Sequence, residues 1–102
     1  MIYEHAEIDV AAENMAAFEA GAEQAKPLFL AAKGCHGMQL TRSIENPGRY
    51  RLLVLWETVE DHMVGFRNAP EFAQWRALVG GFFTSPPRVE HLDIVVKGRR
   101  EG

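Results

Sequence analysis

The segment RYRLLVLWE, residues 49–57, constrains the fold most, because it is apolar on both sides of an extended strand. Side chains alternate along a strand, so Leu52 and Trp56 point one way while Leu53 and Leu55 point the other. A strand that is apolar on both sides is typically buried on both sides. We therefore expect it to lie inside a sheet, both faces of which need a cover.

The spacing of apolar residues predicts the elements before this central strand. Residues 2–10 alternate with a period of two, as a strand does, and residues 12–32 place apolar side chains three and four apart, as a helix does. Gly34 stands where a helix commonly ends. Residues 35–44 then form a strand that a short turn joins to the central one, which predicts an antiparallel hairpin.

A second, interrupted helical region is predicted after the central strand. Thr58 has the character of an N-cap with an acid, Asp61, three residues later, so a helix begins there and runs to about Phe66. Pro70 restarts it at a first helical position. With a last strand at 88–96, the element order βαββαβ predicts an α+β, ferredoxin-like split βαβ sandwich with a four-stranded antiparallel sheet.

The 102 residues are expected to form a single domain, with 97–102 as a frayed tail. In such a sandwich the two helices cover one face of the sheet, and the sequence offers no further element for the other face. A second copy of the sheet is the simplest cover. The sequence therefore predicts a homodimer that associates through the sheet face.

Charge and hydropathy exclude several classes of partner. A net charge of −3 and a pI near 5.8 argue against a nucleic-acid or anionic-membrane surface. No apolar run approaches the roughly 20 residues that a transmembrane helix needs. The first ten residues carry acids where a signal peptide carries basic and apolar residues, so we expect a cytoplasmic protein.

Two longer stretches resemble a known family. They are LVLWETVEDHMVGFRNAPEFAQWRALVGGFF at 53–83 and PPRVEHL at 86–92. The aromatic–acid pair that ends the third strand, the Pro-Glu-Phe restart and the Val-Glu-His of the last strand resemble the antibiotic biosynthesis monooxygenase (ABM) family of the dimeric α+β barrel superfamily. The resemblance implies a dimer with a pocket between sheet and helices in each subunit. Characterised members oxygenate polycyclic phenols or quinols without metal or flavin, others degrade haem, and the fold alone does not choose.

An oxygenase without a cofactor needs a base, donors for an anionic intermediate and a dry aromatic pocket. His62 is the candidate base, since the ordinary pKa of histidine lies near 6.5. His91 and Arg67 are candidate polar partners. For each of the three, a structural or solvated role is the alternative.

Four aromatic residues are candidates for the pocket wall. The first helical half places Phe66 on the same side as His62, four residues earlier, and the second half aligns two more aromatics in one stripe. Large aromatics at such spacing are also common core anchors, which is the alternative. The four are Trp56, Phe66, Trp75 and Phe82.

Neither a metal nor a haem is expected. The four histidines lie on different elements, and no two of them have the short spacing of a zinc motif. The haem-degrading branch has a tryptophan at the position of Phe66 and a histidine ligand at that of Arg76. It also has an asparagine on the first strand, where this chain has Glu4, His5 and Glu7. These departures predict no bound cofactor.

The resemblance and the residues together predict a monooxygenase that oxidises a small hydroxylated aromatic or quinol with molecular oxygen. The alternative is a non-enzymatic dimeric protein of the same fold, which binds a small molecule or acts in stress. The sequence favours the first through its family resemblance only. In the sequence, no candidate base lies within a few residues of a side chain that would orient it, and this observation slightly favours the non-enzymatic alternative.

Overall fold

The computed structural model describes residues 1–101 and has the predicted α+β, ferredoxin-like architecture. Two helices lie on one side of a four-stranded sheet. A π-helical segment, Asp61–Phe66, precedes the second helix, and 3₁₀ turns occupy Ala12–Asn14 and Gly80–Phe82. The main elements are β1 (Ile2–Asp9), α1 (Met15–Leu30), β2 (Cys35–Arg42), β3 (Arg49–Trp56), α2 (Pro70–Val79) and β4 (Arg88–Asp93).

The strand order in the sheet is β2-β3-β1-β4, and every neighbouring pair is antiparallel. The two central strands are β3 and β1, which confirms that the apolar segment lies inside the sheet. The last strand is an edge strand and pairs with β1 alone. The split βαβ topology predicted from the element order is therefore confirmed.

Several elements are shorter than the sequence pattern indicated. The last strand ends at Asp93 rather than at residue 96, because Asp93 already faces Ile2, the first residue of β1. The second strand ends at Arg42 rather than at 44, because the turn begins at Ser43, whose N–H bonds to the Arg49 carbonyl at 2.9 Å. The first α-helix spans 15–30 rather than 12–32.

The core lies between the sheet and the helices. Inward side chains of β1 and β3 meet the apolar stripe of α1, in which Phe18 and Phe29 are almost fully buried. The Phe29 ring packs against Phe66 and Trp75 at centroid distances of 4.9 and 5.0 Å. This aromatic cluster fixes the helical region over the sheet, near the start of β1 and the end of β3.

The outer face of the sheet is divided into two parts. At one end, half-buried Tyr3, Leu53 and Leu55 form an apolar area. At the other end, acidic and basic side chains pair across the strands, among them Glu7 with Arg88 at 3.0 Å. No helix within residues 1–101 is long and apolar enough to cross a membrane.

Candidate active site

An acidic residue interrupts the inward, otherwise apolar side of β1. Glu4 stands in the same alternating series as Ala6 and Ile8, all of them buried. Its side chain therefore faces the helices, and only 6% of the residue is exposed. A carboxylate buried this deeply requires hydrogen-bond partners, because desolvation penalises its charged form.

The π-helical segment brings a histidine to this carboxylate. The Thr58 hydroxyl accepts a hydrogen bond from the Asp61 N–H at 3.1 Å and caps the start of the helical region. The Arg67 N–H then bonds to the His62 carbonyl, five residues earlier, at 3.0 Å. His62 stacks on Trp56, with ring centroids 5.7 Å apart and planes inclined by 17°. Short π-helical segments are frequent at functional sites.

Three side chains from three elements form a connected group, here called the Glu4–His62–His91 triad. Nε2 of His62 lies 3.3 Å from Oε1 of Glu4, and its Nδ1 lies 2.9 Å from Nε2 of His91. Trp56 donates its indole N–H to the same Oε1 at 3.0 Å. His91 reaches the triad because it stands opposite Glu4 in the β1–β4 register.

The donor and acceptor roles within the triad depend on the tautomer of His62. A proton on Nε2 of His62 faces the carboxylate, so Nδ1 then accepts a hydrogen bond from Nε2–H of His91. Both ring nitrogens of His62 are engaged in this arrangement. Within residues 1–101, the second carboxylate oxygen of Glu4, Oε2, makes no hydrogen bond.

Burial shifts both titrating groups toward their neutral forms. Desolvation, together with the positive charge of Arg67 and the neighbouring His91, lowers the pKa of His62 to about 4. Desolvation raises the pKa of Glu4, while the Trp56 hydrogen bond and the charge of Arg67 partly offset that rise. At neutral pH the imidazole is therefore uncharged, and the carboxyl group takes up a proton more readily than an exposed one.

A cavity of about 640 Å³ lies beside the triad. Glu4 and His62 form part of its wall, and Ile8, Phe72 and Trp75 are among its apolar members. The segment 84–87 and two arginines complete it. A mostly apolar pocket with a few convergent polar groups is the usual form of a small-molecule site.

The two arginines of the wall rest on aromatic rings. The guanidinium carbon of Arg67 lies 5.5 Å from the centre of the Phe72 ring, and that of Arg76 lies 5.9 Å from the centre of Phe83. These distances fall within the range of cation–π contacts. Arg67 follows the π-helical segment directly, which explains why its charge reaches both Glu4 and His62.

The family model described as "Antibiotic biosynthesis monooxygenase" matches residues 1–78. The chain belongs to the antibiotic biosynthesis monooxygenase family. Membership places it in a family named for monooxygenase activity. The matched part contains Glu4, His62 and both wall arginines, whereas His91 lies beyond it.

Relatives of this ABM protein include a curated protein and several solved structures. The "Uncharacterized protein YczJ" of Bacillus subtilis (strain 168) is 42% identical over 78 residues, which cover 76% of this chain and 82% of that protein. A structure named "Putative antibiotic biosynthesis monooxygenase" from Bordetella bronchiseptica is 54% identical, with a TM-score of 0.91, over 93% of this chain and 97% of that one. Rv0793 from Mycobacterium tuberculosis, 20% identical with a TM-score of 0.78 over 96% and 98% of the two chains, shares the fold.

The structure separates the seven predicted site residues of this ABM protein into two groups. His62, Arg67 and Trp75 line the cavity, and His91 joins them through its contact with His62. The remaining three lie outside the cavity wall as residues 1–101 define it. They are Trp56, which contacts Glu4 from the sheet, Phe66, which packs in the aromatic core, and Phe82.

The side chains of His5 and His91 lie on opposite faces of the sheet. Glu4 is the register partner of His91, whereas His5 pairs with Glu90. Across residues 1–101, no three His, Cys, Asp or Glu side chains converge in a way that would hold a metal ion.

Sequence reasoning missed Glu4, the acidic member of the triad. The sequence did contain a sign of this role. Residues 2, 6, 8 and 10 form the apolar, inward-facing series of the first strand, and Glu4 occupies the one remaining position in that series. A charged residue in an inward series is rare without a buried partner. That partner, His62, is 58 positions away and becomes apparent only in the folded sheet.

Proposed function

We propose that this protein is a cofactor-independent monooxygenase that oxidises a small hydroxylated aromatic or quinol with molecular oxygen. One observation carries the proposal: a buried carboxylate, held on one oxygen by an indole and an imidazole, forms part of the wall of an aromatic-lined cavity. Membership of the ABM family supports the reaction class. The substrate class follows from what such a carboxylate and such a cavity can do.

The proposed reaction begins with loss of a proton, because triplet oxygen reacts with an electron-rich anion rather than with a neutral phenol. The substrate anion gives one electron to O₂, and the resulting radical and superoxide combine to form a peroxide anion on carbon. At a CH₂ carbon, the O–O bond then breaks as the remaining C–H proton leaves. The products are a carbonyl and water, so the substrate supplies all four electrons.

Glu4 is the group we assign to proton exchange with the substrate. Both nitrogens of His62 are occupied within the triad, whereas Oε2 of Glu4 has no hydrogen-bond partner in residues 1–101. A raised carboxyl pKa suits a group that takes a proton and later returns it to the departing oxygen. His62, the base expected from the sequence, then acts with His91 as a positioning residue that orients Glu4 and disperses its charge.

Arg67 and the aromatic wall supply the remaining requirements. The positive charge of Arg67 acts on Glu4 and His62, so it is near enough to stabilise a substrate anion or a peroxide beside them. Trp75 and Phe72 offer flat apolar surfaces to an aromatic ring. A bound aromatic ring that displaces water from these walls would strengthen the attraction between Arg67 and the anion beside it.

Oxygen uptake by metal-stripped protein against a panel of quinols and anthrone-type phenols tests the proposal. We expect uptake above the protein-free rate, and a loss of about 100-fold or more in Glu4→Gln, since general-base catalysis commonly contributes that much. Glutamine keeps an oxygen acceptor for Trp56 and His62 and removes the proton exchange together with the negative charge. His62→Gln should cost less, about 10-fold, and His36→Gln, at an exposed histidine outside the cavity, should cost nothing.

Three outcomes would revise these roles. If Glu4→Gln kept its activity while His62→Gln lost it, the proton-accepting role would return to His62. If no compound raised oxygen uptake but several raised the melting temperature, the protein would be a small-molecule-binding protein of the same fold. If neither effect occurred, the cavity would not be an aromatic-binding site.

We also propose that a second copy of the chain covers the outer face of the sheet. Leu53 and Leu55 form an apolar area there, and Nδ1 of His5, on the same face, is buried without a hydrogen-bond partner in residues 1–101. The residues after β4 extend this area, because Val95, which is 87% exposed, lines a surface depression together with Tyr3 and Leu55. Apolar surface of this extent commonly marks an interface.

A further inference from the structure

We propose that the substrate of this site carries a carboxylate in addition to its hydroxyl group, and that Arg76 binds that carboxylate. The inference rests on the proposed function, because it concerns the same cavity. It adds a second anchoring point, separate from the place where the proton is exchanged. The arginines of the sheet and those of the cavity wall differ in what their guanidinium groups contact.

Arginines on the sheet have carboxylate partners. Arg42 contacts Glu19 at 2.7 Å, and Arg49, Arg51 and Arg88 contact Glu7 at 3.0 to 3.7 Å. The two arginines of the cavity wall differ. Within residues 1–101, neither Arg67 nor Arg76 has a carboxylate within 4.0 Å, and each rests on an aromatic ring instead.

The cavity is positively charged although the protein as a whole is acidic. The net charge of the chain is −3, yet the cavity wall contains two guanidinium groups and one carboxyl group, and the imidazole beside them is neutral. A concave apolar wall concentrates the field of such charges. The electrostatic free energy of an anionic ligand therefore falls as it approaches this cavity, whereas the net negative charge of the protein as a whole repels it.

The two guanidinium groups are suited to different tasks. Arg67 acts on the triad through its charge, so it serves the group at which the reaction takes place. Arg76 lies nine positions later, in the last turn of α2, with its Nε 3.4 Å from where a side chain on Gly80 would begin. The lack of a side chain at Gly80, which also lines the cavity, leaves room beside Arg76.

A planar carboxylate fits an arginine in this setting better than a hydroxyl or a ketone does. The guanidinium fork binds a carboxylate through two parallel hydrogen bonds, and the Phe83 ring beneath it favours one orientation. The apolar wall between Arg76 and Glu4 would then accommodate the aromatic ring. The substrate would thus be a hydroxylated aromatic acid, held at one end by Arg76 and activated at the other by Glu4.

Binding of two matched probes tests this inference without using the reaction. The probes are 6-hydroxy-2-naphthoate, which carries its carboxylate and its hydroxyl group at opposite ends of the ring system, and 2-naphthol, which lacks only the carboxylate. Binding is measured by calorimetry at low salt. We expect the acid to bind about 10-fold more tightly, which corresponds to roughly 1.4 kcal/mol. Arg76→Gln should remove this preference by weakening the acid and leaving 2-naphthol within about two-fold.

Two further variants distinguish a specific anchor from a general effect of charge. Arg76→Lys keeps the positive charge and removes the fork, so it should recover only part of the preference. Arg100→Gln makes the same change of net charge in the tail, outside the cavity, and should leave both affinities unchanged. Melting temperatures of all variants show whether they are folded.

Several results would overturn the inference. These are a failure of the acid to bind, equal affinity of the two probes for the unchanged protein, and an equal loss for both probes in Arg76→Gln. A preference for the acid that Arg76→Gln leaves intact would overturn it as well. If the acid is preferred through Arg76 but oxygen uptake is absent, the proposed function fails and the carboxylate site stands.

Discussion

Two glutamates on the first strand, three positions apart, show opposite electrostatic behaviour. Glu4 faces the helices, is buried, and meets an indole N–H and an imidazole, and its pKa is raised. Glu7 faces the outer side of the sheet and meets Arg88, Arg49 and Arg51. Its pKa is lowered, first through the hydrogen bond from Arg88.

The difference teaches that partner chemistry and burial, rather than residue type, decide what a carboxylate does. Full positive charges around Glu7 favour its ionised form, so it serves to hold strands together. Glu4 has neutral donors and little water, and this combination keeps its proton affinity high. Of the two, Glu4 is therefore the better suited to accepting a proton.

The largest expected effect concerns the outer face that Glu7 shares. Leu53→Glu places a charge in the apolar area and should convert the proposed dimer, twice the 11.5 kDa of one chain, to a monomer. Light scattering after size exclusion measures the mass. Val64→Glu, at an exposed position of the π-helical segment, is the matched control and should remain dimeric. A monomeric parent protein would contradict the interface.

On the inner face, the burial of His62 should make the free energy of unfolding depend on pH. Below pH 6.5 the unfolded chain protonates His62, while the folded protein resists protonation until about pH 4. The unfolded state then binds more protons, so the free energy of unfolding should fall by up to about 3 kcal/mol as the pH drops from 6.5 to 4. The raised pKa of Glu4 acts in the opposite sense above 4.5, because the folded state there holds a proton that the unfolded state releases.

Urea unfolding of His62→Gln and of His36→Gln across this range isolates the contribution of His62. The first variant should have a flatter profile than the parent, and the second, at an exposed histidine, should retain the parental slope. Protein concentration must be held constant, since dissociation of a dimer contributes to the measured stability. Identical slopes in all three proteins would mean that His62 is not held neutral by burial.

The smallest effect is expected at Glu7. Glu7→Gln should lower stability at neutral pH only slightly, because the side chains around it are partly solvated. Its lowered pKa means that the stabilisation is present above pH 4.5 and is lost as the pH falls through the folded value. Unfolding at low and high salt provides the measurement, since salt screens exposed pairs. If Glu7→Gln lost as much stability at high salt as at low salt, the contacts of Glu7 would be shielded from solvent, as those of Glu4 are.

Much of the fold could be predicted from local patterns, and part of the site could as well. The period-two rhythm of β1 and the Pro70 restart of α2 are local, so periodicity and turn chemistry identify them. His62 and Trp75 were singled out by residue type, and they do line the cavity. The π-helical form of 61–66 could not be predicted, because no local pattern in that segment distinguishes it from an α-helix.

The element order and the apolar character of both sides of β3 could be determined from the sequence alone, because they follow from periodicity along single segments. Only the tertiary structure decided that Glu4, His62 and His91 meet, since each comes from a different element. It also decided the opposite pKa shifts of Glu4 and Glu7. The physical reason is that desolvation and charge proximity depend on distances in space, which a linear pattern does not contain.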